Sequence, residues 1–496
     1  MSQLNASRRR FLRTASVVSG SVGAAAAPFA LNMASLGSAV GQSAADYKAI
    51  VCVFLYGGND SSHMVIRTDT PSFTEYTRLR NQGAEPIALL APGTPVNNNA
   101  TRGTPARLGG VLPLAPRFTV STENAANGYA VHPSMPEVQS LFASGRLAIL
   151  ANAGPLIVPL TRADYKSNSK PRPQALGSHN DQQSTWQALG PEGVKVGWGG
   201  RLGDMVASAN TSSTFTSISV SGNNVFSAGS SVFQYQVGGG GATQIGGLTG
   251  TLFGSTTASN TLRQIVTADN SHLFAKEYST IINRSIGAQA TFQTAFAAST
   301  ITAPGNLVLP SSGNATANSL AQQLQTVARV IGARSALGAK RQIFFVSIGG
   351  FDTHDNQNAG QADLLARISH ALGYFDTTLS NIGGVDMRAN VTTFTASDFG
   401  RTITTNGDGT DHGWGSHHFV LGGAVKGGEI YGRFPFFTLN DGLGMGMDSA
   451  NNGYLPVTSV DTIGSTLGRW FGVSDTNLDT IFPNLRNFPR DLGFLA

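Results

Sequence analysis

The chain has 496 residues, 41% of them hydrophobic and only 12% charged, and it contains 60 Gly. That is ample apolar material for a core, too little charge for a disordered chain and too much glycine for a helical bundle, while the length allows two or three domains or one large α/β domain. Net charge is +5, but Arg8, Arg9, Arg10 and Arg13 all precede the first acid, which leaves 29 cations against 28 acids in the remainder. A nucleic-acid surface gains no support from that balance, and no nucleic-acid partner is expected. The single cysteine, Cys52, excludes an intramolecular disulfide and a multi-cysteine zinc site. It lies in an apolar run, where a buried, inert thiol is expected.

In chain order, residues 1–45 come first. Ser7-Arg8-Arg9-Arg10-Phe11-Leu12-Arg13 is followed by a weakly apolar stretch and by small residues at 39–45, which are the parts of an export signal. Gly20, Gly23 and Pro28 interrupt any amphipathic helix there. The Arg pair spaced before Phe-Leu resembles the bacterial twin-arginine (Tat) signal. That resemblance implies the Tat translocase as partner during export and a periplasmic or secreted location. It is also compatible with a metal inserted before export. No later stretch reaches the ~18 uninterrupted apolar residues of a membrane span, so no integral membrane segment is expected in the mature chain.

Residues 46–496 read as one domain. The runs 49–56, 147–151, 342–347 and 391–395 are short, continuous and rich in apolar and β-branched side chains, as buried parallel strands are. Helical spacing marks 134–145, 270–298, 318–337, 363–379 and 460–471. Strands separated by helices predict an α/β fold, with a largely parallel central sheet sandwiched by helices. Residues 208–260 differ, being dominated by Ser, Thr, Gly and Asn with local alternation at 215–220, and are expected to form a β-rich insertion. The four glycines at 238–241 lack the Lys-Ser/Thr of a phosphate loop.

Chemistry should show as local concentration of the nine histidines and the few acids. Gly57-Gly58-Asn59-Asp60 follows the first strand, where ligands of open α/β sheets bind, although Asn-Asp-Ser-Ser also makes an ordinary turn or cap. Asp352 and His354, two apart after the 342–347 run, either converge on a divalent ion or form an Asx-turn. Asp398 ends the next strand. Arg401 beside it either grips an oxyanion bidentately or pairs with an acid. Residues 410–418 place His412, His417 and His418 within seven positions. Ser178, before His179, either caps a helix through Trp186 or acts as a nucleophile at its N-terminus. Carboxylates and imidazoles without cysteine suit Zn, Mn, Fe or Ca/Mg.

These motifs in order — the leader, GGND, His-Pro at 132–133, Ser178-His179, GWGGR around Trp198, GGFDTH, SDFGR, and DHG followed by FVLGGAVKGG — resemble the bacterial family called domain of unknown function 1501, over residues 50 to about 467. That family is similar to the alkaline phosphatase and sulfatase superfamily. The resemblance implies an alkaline-phosphatase-like fold and one or two divalent ions, Zn, Mn or Ca, acting on an anionic phosphate or sulfate ester or polymer. It further implies Asp60, Asp352, His354, Asp398 and His412 or His417 as metal ligands, Ser178 as nucleophile, Arg401 stabilising the transferred group, and Asn59 or His179 orienting substrate. The sequence departs from the superfamily pattern where His354 stands only two residues after Asp352 and where Phe399 replaces a paired histidine. A mononuclear site, a changed metal or loss of catalysis would each accommodate those departures. The implied activity is an exported metal-dependent hydrolase. Its rivals are a catalytically silent secreted binding or export-accessory protein and a metal-dependent phosphomutase.

Overall fold

The computed structural model describes residues 47–496, apart from 121, 123, 126, 249 and 438–452; the leader lies outside the described residues. The predicted apolar runs form the strands that matter for the site. Numbered in chain order, the main sheet contains β1 (Lys48–Leu55), β2 (Leu147–Gly154), β3 (Ser217–Ser219), β4 (Tyr235–Gly238), β5 (Gly241–Ala242), β6 (Arg341–Ile348), β7 (Val391–Ser397), β8 (Ser416–Leu421), β9 (Ile430–Tyr431) and β10 (Thr458–Ser459). Their spatial order is β9-β2-β8-β7-β1-β6-β3-β4-β5, with β10 also paired to β2. Within this order β8 runs antiparallel to both neighbours and β5 antiparallel to β4, while the other pairs are parallel. The fold is therefore α/β with a largely parallel sheet.

Both faces of the sheet are buried, which is why its strands are apolar at consecutive positions rather than alternating. Ala49, Val51, Val53 and Leu55 of β1 point to one side, where they meet Val138, Leu324 and Leu365 of the helices Pro136–Ala143, Ser319–Gly332 and Gln357–Leu379. Ile50, Cys52 and Phe54 point to the other, against Trp198 and Leu202 of Trp198–Val206 and Ile463 and Leu467 of Val460–Phe471. Cys52 is buried, and desolvation pushes its thiol pKa up, so it is unreactive.

Two expectations about helix bounds need correction. The helix predicted at 363–379 begins at Gln357, because Gln357 and Gln361 are buried by hydrogen bonding to Asp60 and Thr353 and so leave no apolar signature. The helix predicted from 270 begins at Leu273, since the Asn270 side-chain Oδ1 accepts from the His272 N–H and holds a turn there. The strands of the Ser/Gly-rich stretch at 208–260 join the main sheet: β3 pairs with β6 and β4 with β3, which lengthens it. Among the described residues, no helix is long and apolar enough to cross a membrane.

Candidate functional site

Register places the site. Leu55 is aligned with Ile348 and with Ser397, so β1, β6 and β7 end level and their following loops leave the sheet at one edge. Those loops carry Asn59 and Asp60, Asp352 and His354, and Asp398 and Arg401. Because β8 is antiparallel, its beginning rather than its end lies at that edge, and His412 just before it arrives beside the same loops, bridged to Arg401. Tight packing demands glycine here. A Cβ on Gly57 would strike the backbone nitrogen of Asp352, and one on Gly58 the Phe399 ring; both glycines have positive φ, at 115° and 80°.

Three imidazoles turn toward one carboxylate. His354 Nε2 lies 3.1 Å and His412 Nε2 3.2 Å from Asp352 Oδ1, and His179 Nε2 lies 3.4 Å from Oδ2. The other nitrogen of each ring faces an acceptor: His179 Nδ1 faces Asp398 Oδ2 at 2.7 Å, His354 Nδ1 Asp411 Oδ1 at 3.0 Å, and His412 Nδ1 the Gly177 carbonyl at 2.8 Å. A proton on each Nδ1 satisfies these acceptors, and in that tautomer the Nε2 atoms are the ones aimed inward. Phe399 packs on His179 and His412, at ring centroid separations of 4.9 and 4.5 Å, and fixes their planes.

The electrostatics follow from those partners. Hydrogen bonding to Asp398 raises the His179 pKa, burial opposing it. Burial holds His412 below its ordinary value, with the bond to the Gly177 carbonyl pulling the other way. Burial acts to raise Asp352, but the hydrogen bond and charge of Arg401 prevail and hold its carboxyl low. The side chain of Asp352 remains 46% exposed, so the cluster is open to solvent.

The donor set was tested against a divalent cation, which the family resemblance implies. His354 Nε2 and His412 Nε2 are 2.9 Å apart. With both Nδ1 atoms protonated the two Nε2 lone pairs face each other, with Arg401 Nη1 3.4 Å from that of His354. The separations of 2.9, 3.1 and 3.2 Å among these two nitrogens and Asp352 Oδ1 span what ligand bonds of ~2.0–2.1 Å produce, roughly 2.9 Å for cis octahedral and 3.3 Å for tetrahedral edges. One ligand atom from each of His179, Asp352 and His412 also falls within 4.8 Å of the others. The residues fit a borderline divalent ion, and carboxylate or carbonyl partners on all three Nδ1 atoms are what metal-ligating histidines use to fix their tautomer.

Other sequence-predicted residues lie elsewhere in the chemistry. Asp60 was expected as a metal ligand, but its buried carboxylate accepts from both Nη atoms of Arg80, from Gln357 Nε2 at 2.7 Å and from the Ser62 N–H at 3.1 Å, and does not face the imidazoles. Burial acts to raise its pKa, yet Arg80 outweighs it and the carboxyl is held low. Asp398 holds His179 and also accepts from Gln183 Nε2 at 2.9 Å and the Gly57 N–H at 3.2 Å, so it orients that ring instead of facing the cluster. His417 is buried in the sheet, stacked on Phe434 and accepting the Asn152 N–H at Nδ1, with desolvation pushing its pKa down to about 3. Arg401 does not face substrate. It is fully buried, donating to the carbonyls of Gly57, Gly58, Phe351 and Thr410 and to Asp352. Asn59 is buried beneath the loop, its amide donating to Met64 Sδ, so it cannot orient a substrate. Ser178 is the N-cap of the helix His179–Ala188, its Oγ accepting from the Asp181 N–H.

Sequence reasoning missed Arg80, Gln183 and Asp411. Gln183 follows His179 by four residues on one helix face, a spacing that would have paired them. Asp411 adjoins His412 in the chain but serves His354, and nothing in the sequence shows Arg80 reaching Asp60.

Residues 47–481 match the family described as "Protein of unknown function (DUF1501)". No curated protein matches the chain. Among solved structures the chain is similar to the PsFucS1 sulfatase from Pseudoalteromonas sp., at 10% identity over 94% of this chain and 75% of that one, with a TM-score of 0.32. It is also similar to Ps i-CgsB, at 9% identity over 90% and 77%, TM-score 0.33. A third is the lipoteichoic acid synthase LtaP from Listeria monocytogenes, at 10% identity over 85% and 82%, TM-score 0.29. Similarity at that level carries no argument about chemistry.

Proposed function

The chain belongs to the DUF1501 family, and from the geometry at its sheet edge we propose that it is an exported metal-dependent hydrolase-like protein acting on a phosphate or sulfate ester. One observation carries this reading: three imidazoles, each with Nδ1 held by an acceptor, present Nε2 to a solvent-accessible carboxylate. His179, His354, His412 and Asp352 would hold the ion. A bound divalent cation supplies Lewis-acid charge neutralisation at an ester oxygen. Asp398, Asp411 and the Gly177 carbonyl orient the imidazoles, and buried Arg401 positions Asp352. Ser178 stands between the Gly177 carbonyl that holds His412 and His179 itself. Its Oγ accepts the cap bond, and this reading keeps Ser178 as the nucleophile, activated by the bound cation. Export rests on the Tat-like leader.

Metal analysis of protein purified without added metal tests the site: stoichiometric zinc or manganese, lost in Asp352→Ala and His412→Ala, is the expected result. Turnover of aryl phosphate, phosphodiester or sulfate esters tests the reaction. Retention in the cytoplasm when Arg8 and Arg9 are both changed to Lys tests the route. A metal-free wild-type protein would sink the proposal. One observation favours the rival reading of a silent binding protein. The Arg401 donors are all directed at protein groups, so that cation does not meet an anionic ester. A loaded protein with no turnover on the ester panel would support that alternative.

A further inference from the structure

We infer that the helical hairpin of Thr256–Thr267 and Leu273–Ala298 is the contact through which two copies of this chain associate. The second helix has 26 residues, about 39 Å at 1.5 Å per residue. Its C-terminal part anchors it, with Phe292 and Phe296 buried against Phe215, Tyr235 and Arg329. Most of the remainder is solvent-facing, and it exposes large apolar side chains among its polar ones. Phe274, Tyr278 and Ile281 recur at i, i+4 and i+7, the spacing of a stripe made to be buried, yet they are 78%, 55% and 48% exposed. Ile265 and Leu273 near the hairpin turn and Phe253 just before it are more than two-thirds exposed.

Area and charge select the occupant. Each aromatic can bury roughly 150–250 Å², so these six side chains together offer on the order of 800 Å² per copy, the size of a standard specific interface. Across residues 256–298, Arg263, Lys276 and Arg284 face Asp269 and Glu277, a net charge of +1. That is too little for attraction to an anionic lipid surface, and it does not repel an identical chain. Glu277 and Arg284, seven residues apart, flank the stripe on one side, so an isologous two-fold axis between them brings each within reach of its opposite on the second copy.

Sedimentation equilibrium across the micromolar range should show a reversible dimer. In the double variant Phe274→Ser and Ile281→Ser it should become a monomer with unchanged metal content and a thermal midpoint that no longer depends on protein concentration. A Tyr278→Cys variant should cross-link copy to copy with a short bis-maleimide, because the other cysteine, Cys52, is buried. A wild-type chain that stays monomeric throughout overturns the inference, including one that floats with zwitterionic lipid vesicles instead. A dimer that survives the double variant overturns it as well.

Discussion

Asp411 offers a sharp test of whether His354 belongs to a metal site. Its Oδ1 accepts from His354 Nδ1 at 3.0 Å and also from Asn406 Nδ2 at 3.2 Å, while its side chain is 49% exposed. An exposed pair of this kind stabilises a fold by only about 0.2–1 kcal/mol, so Asp411→Ala should fold and unfold much as the parent does. Its effect on a cation is larger. Loss of an outer-shell acceptor frees the His354 tautomer and ring and typically costs 10–100-fold in metal affinity, about 1.4–2.7 kcal/mol. Calorimetric titration of metal-stripped protein with zinc or manganese measures that difference directly, and a denaturant titration of the metal-free form supplies the control. An affinity within twofold of the parent, with stability intact, would refute the reasoning, since His354 would then bind nothing that depends on its orientation.

Other outcomes follow from the same geometry. Arg401→Met leaves four carbonyls and Asp352 without their donor, and should destabilise by about 3–5 kcal/mol in urea titration; a loss below 1 kcal/mol would contradict its role as the clamp of this edge. Ser178→Ala removes a helix cap and should cost roughly 1 kcal/mol, but it should abolish ester turnover if the hydroxyl attacks. Retained turnover would assign the attack to water. Burial pushes His417 and His418 down to about 3, His63 to about 4, and His132 well below its ordinary value. These folded-state values are depressed, so the stability they contribute is full above the unfolded value near 6.5 and is lost as pH falls. Each proton taken up on unfolding gives a slope of about 1.4 kcal/mol per pH unit, so the urea midpoint should drop steeply between pH 6.5 and 4. A flat profile there would mean that these imidazoles are not held neutral.

Local pattern alone specified much of this protein. Continuous apolar runs made β1, β2, β6 and β7 legible because a strand covered on both faces has no alternation to conceal it. Glycines and acids directly after those runs pointed to the edge where the loops meet, and Asp352, His354, His179 and His412 were all singled out from the string of residues. Partner choice was not legible. Asp60 resembles a ligand until Arg80, distant from the loop motifs, closes on its carboxylate, and Arg401 resembles a substrate clamp until four backbone carbonyls enclose it. His412 and His417 are five residues apart, and only the antiparallel course of β8 decides that the loop residue meets Asp352 while the strand residue is sealed in the core. The physical reason is that a charged side chain's role depends on what else is buried with it. Sequence spacing records neighbours along the chain, whereas desolvation and hydrogen bonding act on neighbours brought together by the sheet.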